Sequence, residues 1–149
     1  MIIDSLLEFS HAQSAIGTAA AAINSTKAVY IGSVGNIGDG AVPWLVVRVR
    51  AQILAAGGAA NVTFKLLEDS QADMASGSAK TLWTSGAIPK ANLVDGYVVG
   101  CIQLPRTTKQ HLRVTITPDT NDTTAGTVDA FVTPNPDAWQ AFPTGSAIL

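Results

Sequence analysis

The stretch "WLVVRVRAQI" (Trp44–Ile53) decides the fold class of this chain. Aliphatic side chains at every second position alternate with Arg48 and Arg50, which is the period-two pattern of a β-strand with one buried and one solvated face. The aliphatic positions are Leu45, Val47 and Val49. A helix would need apolar residues three or four positions apart, and no long stretch of the chain keeps that spacing.

Similar short runs recur along the rest of the chain, separated by Gly, Pro, Asn and Asp. They are "KAVYIG" (Lys27–Gly32), "NVTFKLLE" (Asn61–Glu68), "AKTLWTSG" (Ala79–Gly86), "GYVVGCIQL" (Gly96–Leu104), "HLRVTITP" (His111–Pro118) and "GTVDAFVT" (Gly126–Thr133). The pattern is weakest in "AKTLWTSG". "GYVVGCIQL" is apolar on both faces, which predicts a central strand covered from both sides. Seven or eight such strands predict an all-β protein, either a jelly roll or another antiparallel β-sandwich.

The 149 residues have the length of one domain, and no linker or repeat divides them. We therefore expect a single β-sandwich domain over residues 1–149 with two extensions. The N-terminal arm covers about residues 1–26, in which residues 5–22 form either a helical turn or an extended segment. The C-terminal tail covers about residues 135–149, beyond the last predicted strand.

The chain carries few charges. Nine basic and eleven acidic residues give a net charge of -2, and charged residues make up 13% of the chain, about half of the ~25% usual for soluble domains. Lys and Arg form no cluster, which argues against a nucleic-acid partner and against binding to a membrane surface. The weakly charged surface indicates either large contacts with partners or simply a neutral, threonine-rich β protein.

Cys101 is the only cysteine, so an intrachain disulfide is excluded. Its position in an apolar run predicts a buried, inert thiol. Near the start of the chain, Asp4 and Glu8 stand where a signal peptide would carry basic residues, which predicts that the protein is not secreted.

Three motifs resemble functional sites without meeting their requirements. "GSVGNIGDG" is followed by Pro43 and a strand instead of a helix, so a hairpin loop is expected rather than a phosphate site. "DTNDTTAG" lacks the later glutamate of a calcium loop and is expected to be a solvated turn. His11 and His111 lack the close ligand spacing of a zinc site. We therefore predict no catalytic residue, no cofactor, no metal site and no enzymatic activity.

The proline-punctuated tail contains two large aromatic residues, Trp139 and Phe142. Such side chains bury much area at a small entropic cost, which makes them good interface anchors. In this position they either fold back on their own sandwich or dock on a partner.

Both ends of the chain carry specific motifs. "IIDSLLEFSHAQS" at residues 2–14 and "DAWQAFPTG" at residues 137–145 resemble the two ends of capsid cement (decoration) proteins of tailed bacteriophages, in the group typified by the Bordetella phage cement protein. The middle of the chain is similar in pattern more than in letters. The resemblance implies a jelly-roll subunit that forms a homodimer on the outer surface of an icosahedral virion and clamps neighbouring major capsid protein subunits.

By position, the family's terminal motifs assign a set of candidate interface residues. They are Phe9, His11, Gln13, Trp139, Phe142 and Pro143, of which His11 and Phe142 are local variations of the motif. The alternative function is a carbohydrate-binding β-sandwich module, which would need exposed aromatic side chains arranged as a platform for a sugar.

Overall fold

The computed structural model describes residues 5–32 and 42–136. In these ranges the chain forms nine β-strands and one 3₁₀ turn at Lys90–Asn92. The strands are β1 (Glu8–Ser14), β2 (Ile23–Asn24), β3 (Val29–Tyr30), β4 (Trp44–Ala55), β5 (Asn61–Asp69), β6 (Lys80–Pro89), β7 (Val98–Gln103), β8 (His111–Pro118) and β9 (Thr123–Thr133). Within the described ranges, no helix has the length and apolarity needed to cross a membrane.

The strands form two antiparallel sheets. Sheet A has the order β1-β9-β4-β7, and sheet B has the order β2-β8-β5-β6, with β3 also paired to β8. The pairs are nested, because β1 pairs with β9, β2 and β3 with β8, β4 with β7, and β5 with β6. A long hairpin wrapped in this way into two sheets is a jelly roll, so the predicted all-β, jelly-roll-like sandwich is confirmed.

The core lies between the sheets and follows the period-two pattern of the sequence. Val47 and Val49 of β4 face Phe64 and Leu66 of β5, and all four side chains are completely buried. Full burial of such a side chain contributes about 1.5–3 kcal/mol to folding. The strand prediction "AKTLWTSG" is confirmed as well, since β6 spans ten residues.

The described part of the N-terminal arm is extended and built into the sandwich. β1 pairs with β9 in sheet A, and β2 pairs with β8 in sheet B. Phe9 and Ala15 are buried in the core, and the Ala15 amide donates to the Gly126 carbonyl oxygen over 3.0 Å. The helical alternative for residues 5–22 is therefore wrong, because this segment supplies β1, an edge strand of sheet A, and β2 follows directly after it as an edge strand of sheet B.

Two expectations about "GYVVGCIQL" are wrong. β7 is an edge strand of sheet A, and Cys101 is exposed. The inner positions of β7 do pack on the core, through Gly100 beside Trp83 and through Ile102. At the outer positions, Val98 and Cys101 are apolar but exposed, and Gln103 is polar. A sequence that is apolar on both faces therefore did not indicate a central position in this sheet.

The expected hairpin at "GSVGNIGDG" is also wrong. Residues 33–41 lie outside the described part, but β3 before them belongs to sheet B and β4 after them belongs to sheet A. A hairpin pairs consecutive strands. This connection instead crosses from one sheet to the other, because β3 finds its partner in the distant β8.

Candidate interaction surface

The outer face of sheet A, which points away from sheet B, carries an apolar patch next to a cluster of charged side chains. Alternation along β4 and β9 places every second residue on this face, opposite the core positions. Its described members are Trp44, Val46, Arg48 and Arg50 of β4, Asp129, Phe131 and Thr133 of β9, Val98 and Cys101 of β7, and Glu8 and His11 of β1. One half of this face is apolar and the other half is charged.

The apolar half is centred on Val46. Phe131 lies beside it on β9, and Cys101 lies beside it on β7. Val46 is only 3% exposed and Phe131 only 1%, although neither belongs to the core between the sheets. Val98 on the edge strand is 53% exposed. This half of the face is therefore an apolar patch of which the centre is buried and the edge is open.

The charged half is an ion cluster formed by Glu8, His11, Arg48, Arg50 and Asp129. Asp129 is its centre and accepts hydrogen bonds from Arg48 Nη2 over 2.8 Å and from Arg48 Nε over 3.1 Å. Its other oxygen accepts from the Ala12 amide over 2.7 Å. Arg50 Nη1 lies 3.8 Å from the same carboxylate. One buried carboxylate thus ties three strands of sheet A together.

Irregular pairing of β1 places His11 in this cluster. The register of β1 against β9 shifts between Glu8 and Ser10 and again between Ser10 and Gln13, and Ala12 has a left-handed φ of 47°. Such bulges redirect side chains. His11 and Ala12 are consequently both exposed, whereas a regular strand would turn one of them inward.

His11 is 61% exposed and makes three close polar approaches. Its Nε2 lies 3.0 Å from Arg50 Nη1, and its Nδ1 lies 3.5 Å from Glu8 Oε1 and 4.0 Å from Asp129 Oδ1. Because a guanidinium only donates, Nε2 is the acceptor and Nδ1 carries the proton toward the carboxylates. The ring is therefore oriented by its neighbours and presents its edge to solvent.

A comparison with protein families gives the affiliation of the chain. The family model Bbp16 matches residues 9–132, which is well over half of the sequence and includes β1 to β9 almost completely. The chain belongs to the Bbp16 family. The name has the form of a Bordetella phage protein name, in agreement with the bacteriophage resemblance of the two ends. A search of curated proteins found no match.

The six predicted interface residues of this Bbp16-family protein do not lie together on one described surface. Phe9 differs from the expectation, because its side chain is completely buried in the core and offers no surface to a partner. Gln13 binds within its own chain, donating to the Asn24 carbonyl oxygen over 2.7 Å and accepting from the Thr26 amide over 2.9 Å. His11 is exposed in the ion cluster. Trp139, Phe142 and Pro143 lie outside the described residues.

Two buried carboxylates of this Bbp16-family protein were missed in the sequence. Glu68 is completely buried and accepts hydrogen bonds from Thr108 N over 2.7 Å, Thr108 Oγ1 over 2.8 Å and Lys109 N over 3.3 Å. The adjacent Asp69 accepts from the Ser76 hydroxyl, which lowers the pKa of Asp69 to about 2. Both carboxylates hold loops of their own chain. Glu68 follows Val62, Phe64 and Leu66 at the inward positions of β5. This alternation was the feature of the sequence that could have predicted a buried Glu68.

Residues 119–122 of the "DTNDTTAG" segment connect β8 to β9, as the prediction of a turn requires, but the prediction is wrong for residues 123–126, which already belong to β9. Asp119 accepts from the Asn61 amide and side chain, both over 3.1 Å, and from the Thr120 amide, which is the main cause of its pKa being lowered to about 2. Asp122 accepts from the Ala19 amide over 2.8 Å. In residues 5–32 and 42–136, no group of three or more His, Cys, Asp and Glu side chains has the arrangement of a metal site.

Exposed aromatic side chains are scarce in the described part of this Bbp16-family protein. Tyr30 is the one that is largely exposed, and its ring is tilted against His111 with centroids 5.1 Å apart. A sugar platform needs several such rings on one face. The described residues therefore offer no specific support for the carbohydrate-binding alternative.

Proposed function

We propose that this protein is a capsid cement protein, which binds the outside of an icosahedral phage head as a homodimer and stabilises contacts between major capsid protein subunits. The observation that carries the proposal is the Bbp16 family match across the whole jelly roll. The cement-like sequences at the two ends add the finer assignment.

A cement protein must bind the assembled shell and ignore isolated capsid subunits. A site shared between two neighbouring capsid subunits meets this requirement, because neither subunit alone offers the full surface. Binding only the assembled state stabilises it by about 2.7 kcal/mol per site at a hundredfold excess over Kd. A dimer strengthens attachment further, since its second contact is intramolecular.

The outer face of sheet A is the best candidate for the capsid-binding surface. It combines Val98, the exposed edge of the apolar patch, with the exposed side chains of His11 and Arg50, and Arg is enriched among residues that dominate interface energies. The ion cluster and Lys27, whose Nζ lies 3.3 Å from Glu8 Oε2, bring three cations against the two carboxylates of Glu8 and Asp129. These side chains therefore carry a net charge of about +1, and we expect ionic strength to weaken the contacts of the face only slightly.

The experiment is cosedimentation of the purified protein with expanded and with unexpanded empty heads. We expect saturable binding to expanded heads, weaker binding to unexpanded heads and none to isolated capsid subunits. Sedimentation equilibrium of the protein alone measures the expected dimer. Protein that stays in the supernatant with both kinds of head would refute the proposal, and specific signals on a glycan array would favour the carbohydrate-binding alternative.

A matched pair of variants tests the face. Arg50→Ala removes an exposed cation from the outer face of sheet A, and Lys65→Ala removes a half-buried cation from the outer face of sheet B. We expect Arg50→Ala to weaken head binding on the order of tenfold, equivalent to about 1.4 kcal/mol, with Lys65→Ala unchanged. Equal effects of the two variants would show that the outer face of sheet A is not the binding surface.

A further inference from the structure

We propose that the outer face of sheet B is a docking site for an acidic segment of a partner protein, which binds in extended form with its carboxylates on Arg113 and Lys65 and an apolar residue on Tyr30. The outer face of sheet B is the side of β3, β8, β5 and β6 that points away from sheet A. It lies opposite the surface proposed to bind the capsid. The inference therefore goes beyond the proposed function and does not depend on it.

Alternation along β8 and β5 places both cations on this face. Leu112 and Val114 of β8 are buried in the core, so Arg113 between them points outward. Lys65 likewise lies between two core residues of β5. Both side chains are half-buried. The outer face of sheet B therefore carries two cations on neighbouring strands.

Neither cation forms an ion pair within residues 5–32 and 42–136. The ion pairs in these ranges involve other basic side chains, which are His11, Lys27, Arg48, Arg50 and Lys80. Asp69, at the end of β5, is held by the following loop, because it accepts from the Ser70 amide over 2.6 Å and from the Ser76 amide over 3.2 Å. The charges of Arg113 and Lys65 are therefore available to an anionic partner.

The guanidinium of Arg113 also has an unsatisfied donor. Its Nε is buried and has no hydrogen-bond partner among the residues that the structure describes. A buried donor without a partner costs stability, and in native structures such a group calls for a water, an ion or a ligand. Because the side chain is long and half-buried, it can turn so that Nε and one Nη donate together to an incoming carboxylate. The unsatisfied Nε therefore points to a carboxylate ligand.

Strand register sets Lys65, Arg113 and Tyr30 on one diagonal of this face. The pairs that fix the diagonal are Lys65–Thr115, Arg113–Leu67 and Tyr30–His111. Each step leads to the next strand and two residues along β8, which corresponds to about 7–8 Å. Tyr30 ends the diagonal and is 62% exposed.

This spacing matches an extended peptide. Alternate side chains of an extended segment point to the same side about 6.4–6.8 Å apart. The length and flexibility of Lys, Arg and Glu side chains accommodate the remaining difference. The segment that fits the face therefore has acidic residues at two alternate positions and an apolar residue at the next alternate position, where it packs on the Tyr30 ring.

The small number of cations favours a protein segment over a nucleic acid or an acidic glycan. Nucleic-acid affinity comes from many phosphate contacts, whereas this face offers Lys65 and Arg113 in a chain whose net charge is -2. A sugar platform needs several exposed rings, and Tyr30 is the one that is largely exposed in the described part of the chain. A short acidic motif needs neither feature, because one Arg and one Lys suffice to recognise it.

The test is an NMR titration of the ¹⁵N-labelled full-length protein at low salt. The probe is a six-residue peptide with glutamate at its first and third positions, leucine at its fifth and threonine elsewhere. The control peptide carries glutamine in place of both glutamates. We expect the glutamate peptide to shift the amide signals of Lys65, Arg113 and Tyr30 and to move the Arg113 Nε–H signal downfield. The glutamine peptide should bind at least about tenfold more weakly.

Substitutions localise the site. Arg113→Ala should weaken binding of the glutamate peptide at least about tenfold, and Lys65→Ala about threefold. Arg113→Lys keeps the charge but removes the Nε donor, so it should also bind several-fold more weakly. Arg50→Ala is the matched control on the outer face of sheet A and should bind like the unmodified protein. Equal losses in Arg50→Ala and Arg113→Ala would contradict a site on sheet B.

The competing ligands supply the remaining outcomes. Absence of shifts at Lys65, Arg113 and Tyr30 with the glutamate peptide, or equal binding of the glutamine peptide, would overturn the inference. Tighter binding of a six-nucleotide oligothymidylate or of trigalacturonate at these residues would replace it with a nucleic-acid or a glycan site. Because these measurements need no heads, their failure is separate from failure of the cement proposal.

Discussion

Replacing Asp129 by Asn tests how the ion cluster holds sheet A together. The substitution keeps the size of the side chain and an oxygen that accepts from the Ala12 amide, but it removes the charge that faces Arg48. Asp129 is 4% exposed, whereas Arg48 is 32% exposed. The variant therefore leaves a partly buried arginine without its main counter-charge.

The magnitude follows from these exposures. Removing one partner of a fully buried ion pair costs about 3–5 kcal/mol. Because a third of the Arg48 side chain reaches water, solvent can compensate part of that loss, and we expect about 2–3 kcal/mol for Asp129→Asn. In a domain of this size that corresponds to a fall in Tm of about 4–12 °C.

The assay is urea denaturation followed by circular dichroism, with a double-mutant cycle. Arg48→Met removes the partner, and the double variant with Asp129→Asn gives a coupling energy that we expect to be at least about 1 kcal/mol. Asp73→Asn is the matched control, since that exposed carboxylate accepts only from the Ala75 amide, and we expect a change within about 0.5 kcal/mol. An Asp129→Asn effect no larger than the control, or additive single effects, would refute the reasoning.

Three further predictions concern stability. Phe64→Ala should lower the free energy of unfolding by about 3–5 kcal/mol in urea denaturation, because it empties the centre of the core. Gly126→Ala should lower the free energy of unfolding by more than about 1 kcal/mol in the same assay, since the φ of Gly126 is 120° and an added Cβ would lie 2.8 Å from the Ile53 Cα of β4. Gly58→Ala is the control and should be nearly neutral, because nothing lies within 4 Å of a Cβ added there. The Ser76 hydroxyl lowers the pKa of Asp69 from 3.8 to about 2. The stability that this carboxylate contributes is therefore complete above pH ~4 and disappears as the pH falls through 2. Asp69→Asn should be destabilising at pH 6 and nearly neutral at pH 2 in acid-unfolding curves.

The candidate surface was only partly predictable from the sequence. The motif at the N-terminus pointed to His11, which the structure places on an exposed strand bulge. It could not show that Phe9, two residues earlier, faces the core, because the register shifts of β1 depend on its pairing with β9. Asp129 was read only as part of a strand, since its partners lie on strands more than eighty residues away in the chain.

What the sequence determined by itself is the all-β class and the inward faces of β4, β5 and β8. Alternation is a local property, and every second side chain of a strand faces the same way whatever its neighbours are. The tertiary structure alone decided which strands are neighbours, and hence that β7 lies at an edge, that Cys101 is exposed and that β3 and β4 belong to different sheets. Those outcomes depend on pairing between distant segments, where the free energy comes from burying two faces against each other and not from the preference of either strand alone.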